Sequence, residues 1–227
     1  MTDLAAAEPL VEPIALFGHW LCPYSVRVEF ALAELGLAHE VVDVPPTAAR
    51  PKGYVVPQEF LDHSPRHEIP MIREGGRYLA DSLPILDRLY RARGPWSPEH
   101  SDLARQVDRT VFGPMVGVYY GTDPDRIAAA SAALATACVG IAEVLGDREW
   151  LAGDVPSMAE AALVPFHVRL EGLRALGFTD PVPATVLAHG ERSLARPGGR
   201  AAGWTDAQQE EFVRRFTTHR ARRAAAC

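Results

Sequence analysis

Residues 14–37 constrain the fold more than any other stretch. Ile14-Ala-Leu-Phe17 is a short apolar run that predicts a buried strand. Cys22 and Pro23 follow, then a run carrying Val26, Val28, Phe30, Leu32 and Leu35, which predicts an amphipathic helix from about Pro23 to Leu35. Proline suits a first helical turn, where its missing N–H is not needed, and Gly36 suits the stop. His39–Val44 then predicts a second strand. A strand–helix–strand unit of this length requires a right-handed parallel crossover. The chain therefore opens with an α/β unit, and Cys22 stands where its first strand hands over to its first helix.

That position carries chemistry. The free N–H groups and the dipole of a helix N-terminus favour a negative charge, and a thiolate is such a charge. Cysteines placed there have lowered pKa and raised reactivity. A lone free cysteine is more often a small buried hydrophobe, yet a strand-to-helix junction reading Cys-Pro-Tyr-Ser is not a usual place for a filler residue. Ser25 stands where a dithiol oxidoreductase carries its second cysteine, so no internal disulfide forms across the motif. That argues for a partner thiol from solution.

Residues 1–13 are polar and alanine-rich and read as a flexible arm. Residues 45–60 hold Pro45, Pro46, Pro51 and Pro57, which predicts an irregular connection with a short helix at 57–62. Pro70 directly precedes the apolar pair Met71-Ile72, where a cis Ile69–Pro70 bond would serve entry into a third strand. Glu74-Gly-Gly-Arg77 predicts a hairpin turn into a fourth strand. Asp81-Ser82, with Pro84 just inside, marks the start of a helix through Tyr90. Simple capping explains that pair; the functional reading is a second helix N-terminus offered to an anionic ligand.

Gly94-Pro-Trp-Ser-Pro98 breaks the pattern and reads as part of a linker over 93–100. Helices are expected over Ser101–Tyr120, interrupted at Gly113-Pro114, and from Asp123 or Asp125 to Leu145. Ser157 and Glu160 form a capping box before the apolar helix Ala161–Leu173, in which His167 reads as a satisfied core histidine. Helices near Ala184–Leu194 and Asp206–Arg223 follow, and the arginines of the latter read as a solvated helix end. A net charge of −6 gives no reason to expect nucleic acid or an anionic membrane. No apolar run in the sequence is read as a membrane span. Cys22, Cys138 and Cys227 are too scattered for a disulfide framework or a metal site, which with the absence of a signal-peptide pattern suggests a reduced, cytoplasmic setting.

Three markers in order, Cys22-Pro-Tyr-Ser25, Ile69-Pro70 and Asp81-Ser82, resemble the N-terminal half of glutathione transferases, and more narrowly the cysteine-type members, omega-like and glutaredoxin-like. Val26-Arg27-Val28 also resembles the zeta class, where a serine usually stands in place of Cys22. The stretch Leu151-Ala-Gly with Ser157-Met-Ala-Glu160 resembles the turn that opens a core helix in the C-terminal half, with glutamate here for the usual aspartate. The likeness runs from about residue 14 to 205 and is weakest in the proline-rich insert and the arginine-rich end.

The resemblance implies a thioredoxin-like α/β domain over 14–92 and an all-α helical-bundle domain over 101–223, in a homodimer. It implies Cys22 as the catalytic residue facing the sulfur of bound glutathione, or of another low-molecular-weight thiol. Ile69, held by Pro70, would pair with the cysteinyl part; Asp81 and Ser82 would hold the γ-glutamyl end; Lys52, the only lysine, would reach the glycyl carboxylate. Trp20, Tyr24, Ser25, Met115, Tyr119 and Tyr120 would line the pocket for a small-molecule electrophile, although the three residues from the fourth helix equally suit core or dimer contacts. A reactive cysteine implies thiol transfer in preference to conjugation, with thiol-assisted isomerisation and C–S bond formation as alternatives. A non-catalytic interaction module is the reading of another class. The alanine- and arginine-rich composition points to a GC-rich genome, and some GC-rich bacteria use small thiols other than glutathione.

Overall fold

The structure, a computed structural model, describes residues 8–225. A four-stranded sheet in the order β2-β1-β3-β4 forms the first half. Its strands are β1 (Ile14–Gly18), β2 (His39–Asp43), β3 (Met71–Glu74) and β4 (Arg77–Ala80). β1 pairs parallel with β2, as the crossover demands, and antiparallel with β3, which pairs antiparallel with β4. All of β1 is buried because the strand is central and covered on both faces. Ile14, Leu16 and Ile72 face α1 (Pro23–Glu34) and α3 (Ser82–Arg93) in the main core. Ala15, Phe17 and Met71 join a smaller cluster with Phe60 of α2 (Gln58–His63).

The second half is helical: α4 (Pro98–Val107), α5 (Gly113–Tyr120), α6 (Pro124–Leu145), α7 (Met158–Ala175), α8 (Ala184–Leu194), α9 (Pro197–Ala202) and α10 (Asp206–Ala224). A π-helical turn over Asp108–Phe112 joins α4 to α5, and α4 begins inside the stretch read as linker. α7 is buried continuously from Met158 to Arg169 and packs on α1, α4, α8 and α10. The expected capping box opens it: Ser157 Oγ accepts from Ala159 N at 3.1 Å, and Glu160 accepts from Ser157 N at 2.5 Å and Leu151 N at 2.6 Å.

Several expectations differ from the structure. Residues 8–13, read as part of a flexible arm, are strapped down, while residues 1–7 lie outside the described residues. Arg88 grips buried Glu74 with two hydrogen bonds of 2.6 and 3.1 Å and donates to the carbonyls of Glu8 and Pro9, while Val11 N donates to Glu74. The helix α9 went unseen because its sequence, Pro-Gly-Gly-Arg-Ala-Ala, lacks an apolar face. The two halves meet so closely there that a Cβ on Gly198 would lie 2.5 Å from the Phe30 carbonyl of α1, and Arg196 and Gly198 N both donate to Glu34. By length and composition α6 is long and apolar enough to cross a membrane, contrary to the reading of the sequence; its hydropathy comes largely from small alanines. Leu134, Cys138, Ile141 and Leu145 turn inward from it.

Candidate functional site

Cys22 is the N-cap residue of α1, in extended conformation (φ −83°, ψ 117°), with Pro23 in the first turn and no side chain capping the helix. Its carbonyl accepts from Ser25 N and Val26 N at 3.1 and 3.0 Å, which fixes the first turn. Its sulfur lies 3.8 Å from the Ile69 carbonyl, so the strand-to-helix junction and the loop before β3 meet at one point. The Ile69–Pro70 peptide is cis, as expected, and the Pro70 carbonyl accepts from Asp81 N at 3.2 Å. Asp81 thereby stands beside Pro70 at the mouth of α3.

These elements enclose a cavity of about 660 Å³. Cys22, Tyr24, Ile69, Pro70 and Asp81 line it, five of the residues expected to gather there. Ser82 lies beneath, fully buried, and its Oγ has no hydrogen-bond partner among the described residues. A buried hydroxyl without a partner is unfavourable unless something else satisfies it. Asp81 (φ 76°) and His67 (φ 53°) are the two non-glycine residues with left-handed backbone among the described residues, and both line this cavity. Such conformations cost of order 1–3 kcal/mol each and cluster where a ligand is held.

Lys52 is not brought to the site: it sits exposed in a turn beside Gly53. The cationic side chains of the wall are instead Arg50 and Arg66, with His67, Glu68 and Asp81 as neighbours. Arg50 is oriented by the Pro45 carbonyl at 3.1 Å, and Arg66 reaches Glu68 at 2.8 Å and Asp81 at 3.5 Å. These groups lie in irregular loops without periodicity, so no local signal in the sequence assigned them to the site.

The other expected pocket residues separate. Ser25 is buried against β1, where a Cβ on Gly18 would come within 3.0 Å of its Oγ, and it lines no described cavity. Trp20 packs edge-on against Trp204, its ring centroid 5.4 Å away. Met115 and Tyr119 are core residues, Tyr119 packing on Phe212 and Phe216 of α10. Tyr120 alone of that group lines an opening, a second cavity of about 220 Å³ between Leu21, Pro46 and α10. Pro46 lines both cavities, so they adjoin near Cys22. The α10 arginines, read as a solvated helix end, form part of the second cavity's wall.

Two buried arginines flank the junction. Arg27 of α1 pairs with Asp108 at 2.6 Å, its guanidinium lying over both the Tyr24 and Phe112 rings, at 4.9 and 4.4 Å. Arg169 of α7 donates to the Leu21 carbonyl at 2.9 Å and the Trp20 carbonyl at 3.5 Å, beneath the Trp204 ring. Burial lowers Arg169 to about 10, a value at which it stays charged at neutral pH, and negative charge on Tyr119 or Cys22 opposes that shift. Burial likewise lowers Arg27, opposed by Asp108. Cys138 is a different kind of thiol: burial in the helical core pushes it up to about 12.

Residues 16–97 match the family model of the glutathione S-transferase N-terminal domain. No curated protein sequence matches the chain. Among solved structures, the fold is similar to rice GST1 in complex with glutathione, with a TM-score of 0.78 and 21% identity over 95% of this chain and 99% of that one. It is similar to glutathione transferase Omega 3C from Trametes versicolor, with a TM-score of 0.74 and 18% identity over 96% of this chain and 94% of that one. The tau-class enzyme of mango gives a TM-score of 0.73 and 16% identity over 88% of this chain and 97% of that one. The chain has the glutathione transferase fold, a thioredoxin-like domain followed by a helical domain.

Proposed function

We propose that this protein is a glutathione-dependent thiol transferase in which Cys22 is the nucleophile. One observation carries the reading: a cysteine at a helix N-terminus shares a cavity of about 660 Å³ with Asp81 at a second helix N-terminus, and the buried hydroxyl of the adjoining Ser82 has no partner among the described residues. Ligand pockets fall between about 300 and 1,000 Å³, and helix N-termini favour anions. The two ends of a zwitterionic γ-glutamyl group match this arrangement, its carboxylate toward Ser82 and the α3 terminus and its ammonium toward Asp81. The glycyl carboxylate matches the Arg50, Arg66 and His67 wall. The glutathione N-terminal-domain match over 16–97 supports the choice of thiol.

The chemistry is thiol–disulfide exchange. The Cys22 thiolate attacks the glutathionyl sulfur of a mixed disulfide; the S–S bond breaks and the acceptor leaves as a thiolate with the bond's electron pair. Glutathione thiolate then attacks the Cys22–glutathione disulfide, freeing Cys22 and forming oxidised glutathione, so glutathione supplies both electrons. Ser25 does not compete for the role, because it faces β1; Tyr24 does line the cavity and is the alternative group for steadying a bound thiolate.

Steady-state assays with a glutathionylated peptide and with an aryl chloride separate these roles. Cys22→Ala abolishes deglutathionylation, and Cys22→Ser retains only conjugation, since a hydroxyl still donates to a bound thiolate. Undiminished deglutathionylation by Cys22→Ala would show that another group carries the reaction.

A further inference from the structure

The second cavity narrows the acceptor. Resting on the reading of Cys22 as the glutathione-linked nucleophile, we infer that this cavity takes a single-ring aromatic acceptor bearing a carboxylate. Three observations point there. Its volume of about 220 Å³ exceeds the roughly 150 Å³ that holds one benzene molecule, which leaves room for one ring and a substituent. Its apolar wall comes from Leu21, Ala48, Ala49 and Phe216, with the Tyr120 ring beside Phe216 at 4.8 Å. Aromatic faces of this kind stack on a ring.

The charged lining is entirely basic. Arg214, Arg215, His219 and Arg222 line the cavity, and among the described residues no aspartate or glutamate does. Arg214 and Arg215 share one carboxylate, Glu211, which lies outside the lining and leaves a net positive charge. Arg215 Nε is a buried donor without a partner, and Arg222 makes no ion pair among the described residues. In a chain of net charge −6, a basic rim over an apolar pocket selects an anionic group attached to an apolar body. Leu21 precedes Cys22 in the chain, and Pro46 borders both cavities, so a ring seated here borders the cavity that Cys22 lines.

The balanced reaction is the exchange already described. The Cys22 thiolate breaks the S–S bond of an aryl–glutathione mixed disulfide, and the arylthiolate departs with the electron pair. Glutathione resolves the enzyme disulfide, giving oxidised glutathione.

Two measurements test this on the full chain. Calorimetry on Cys22→Ala, where no exchange intervenes, compares benzoate with benzyl alcohol. Benzoate is expected to bind about tenfold or more tightly, as a charge-assisted hydrogen bond provides. Arg222→Gln should remove most of that preference, and Arg222→Lys should restore part of it. Equal affinities, or a preference untouched by Arg222→Gln, overturn the inference. Turnover by wild type is then followed with the glutathione mixed disulfides of 5-thio-2-nitrobenzoate and of 4-nitrothiophenol. A higher kcat/KM for the carboxylated compound supports the inference. Turnover of both at one rate overturns it while leaving Cys22 as nucleophile. Turnover of neither, with benzoate bound selectively, overturns the thiol-transfer reading and with it the acceptor assignment.

Discussion

Asp108→Ala is the perturbation whose size the structure fixes best. Arg27 is 1% exposed, and its one carboxylate partner is Asp108 Oδ1 at 2.6 Å. Its Nε and Nη1 have no partner among the described residues, and the Tyr24 and Phe112 rings cover the rest at 4.9 and 4.4 Å. Removing Asp108 leaves a buried, uncompensated charge, which costs roughly 3–5 kcal/mol. In a chain of this size each kcal/mol moves the melting midpoint by about 2–4 °C, so a fall of about 6–20 °C is expected. Removing both charges, Arg27→Met with Asp108→Leu, costs less than the single change, because the desolvation of both ions disappears together. Urea unfolding at pH 7, read by circular dichroism, measures both variants. Asp108 also lines the thiol cavity, so the single variant should bind glutathione more weakly. A loss under about 1 kcal/mol for Asp108→Ala, or a double variant no more stable than it, refutes this account of the pair.

Ser82→Ala should raise the Kd for glutathione about tenfold, the effect of one hydrogen bond to a charged group. It should barely change stability, since the Ser82 hydroxyl has no partner among the described residues; equal affinity by calorimetry removes Ser82 from the site. Burial and the neighbouring His189 hold His167 well below the usual imidazole range, and the two rings hydrogen-bond at 3.2 Å. The unfolded chain takes up that proton near pH 6.5, so stability is fully present above about 6.5. It falls by ~1.4 kcal/mol per unit below, until the native pKa is reached. Denaturation across pH 5–8 should show that slope, and His167→Asn should flatten it; an unchanged slope contradicts the assignment. Light scattering should give about twice the chain mass of 24.7 kDa, from a two-fold dimer, and 24.7 kDa itself contradicts that expectation.

The elements that were legible in the sequence are those whose periodicity and end signals agree. β1 and α1 were readable because an unbroken apolar run, a first-turn proline and a stop glycine all mark one junction. The Ser157–Glu160 box was readable because two polar residues at fixed spacing precede an apolar run. Ile69-Pro70 and Asp81-Ser82 were legible as the starts of β3 and α3 because each adjoins a strand that fixes it. Lys52 was misplaced because proline-rich loops set no register, so a cation two residues earlier, Arg50, enters the cavity instead. For Met115 and Tyr119 the core alternative holds; pocket and core could not be told apart from sequence because an all-apolar helix does not show which side meets another helix. Arg214, Arg222 and Arg223 are exposed, as the sequence suggested, but the cavity that Arg214 and Arg222 border was not legible because its far wall, Leu21 and Pro46, is distant in sequence.

Intact-mass and peptide mass spectrometry of protein incubated with oxidised glutathione tests the central claim most directly. The account predicts one glutathionyl adduct per chain, located on the peptide containing Cys22 and reversed by reduced glutathione. Cys138, buried in the helical core with its thiol pushed up to about 12, should remain unmodified. An adduct confined to Cys138 or Cys227, or no adduct on Cys22 under conditions that support turnover, would contradict the covalent mechanism.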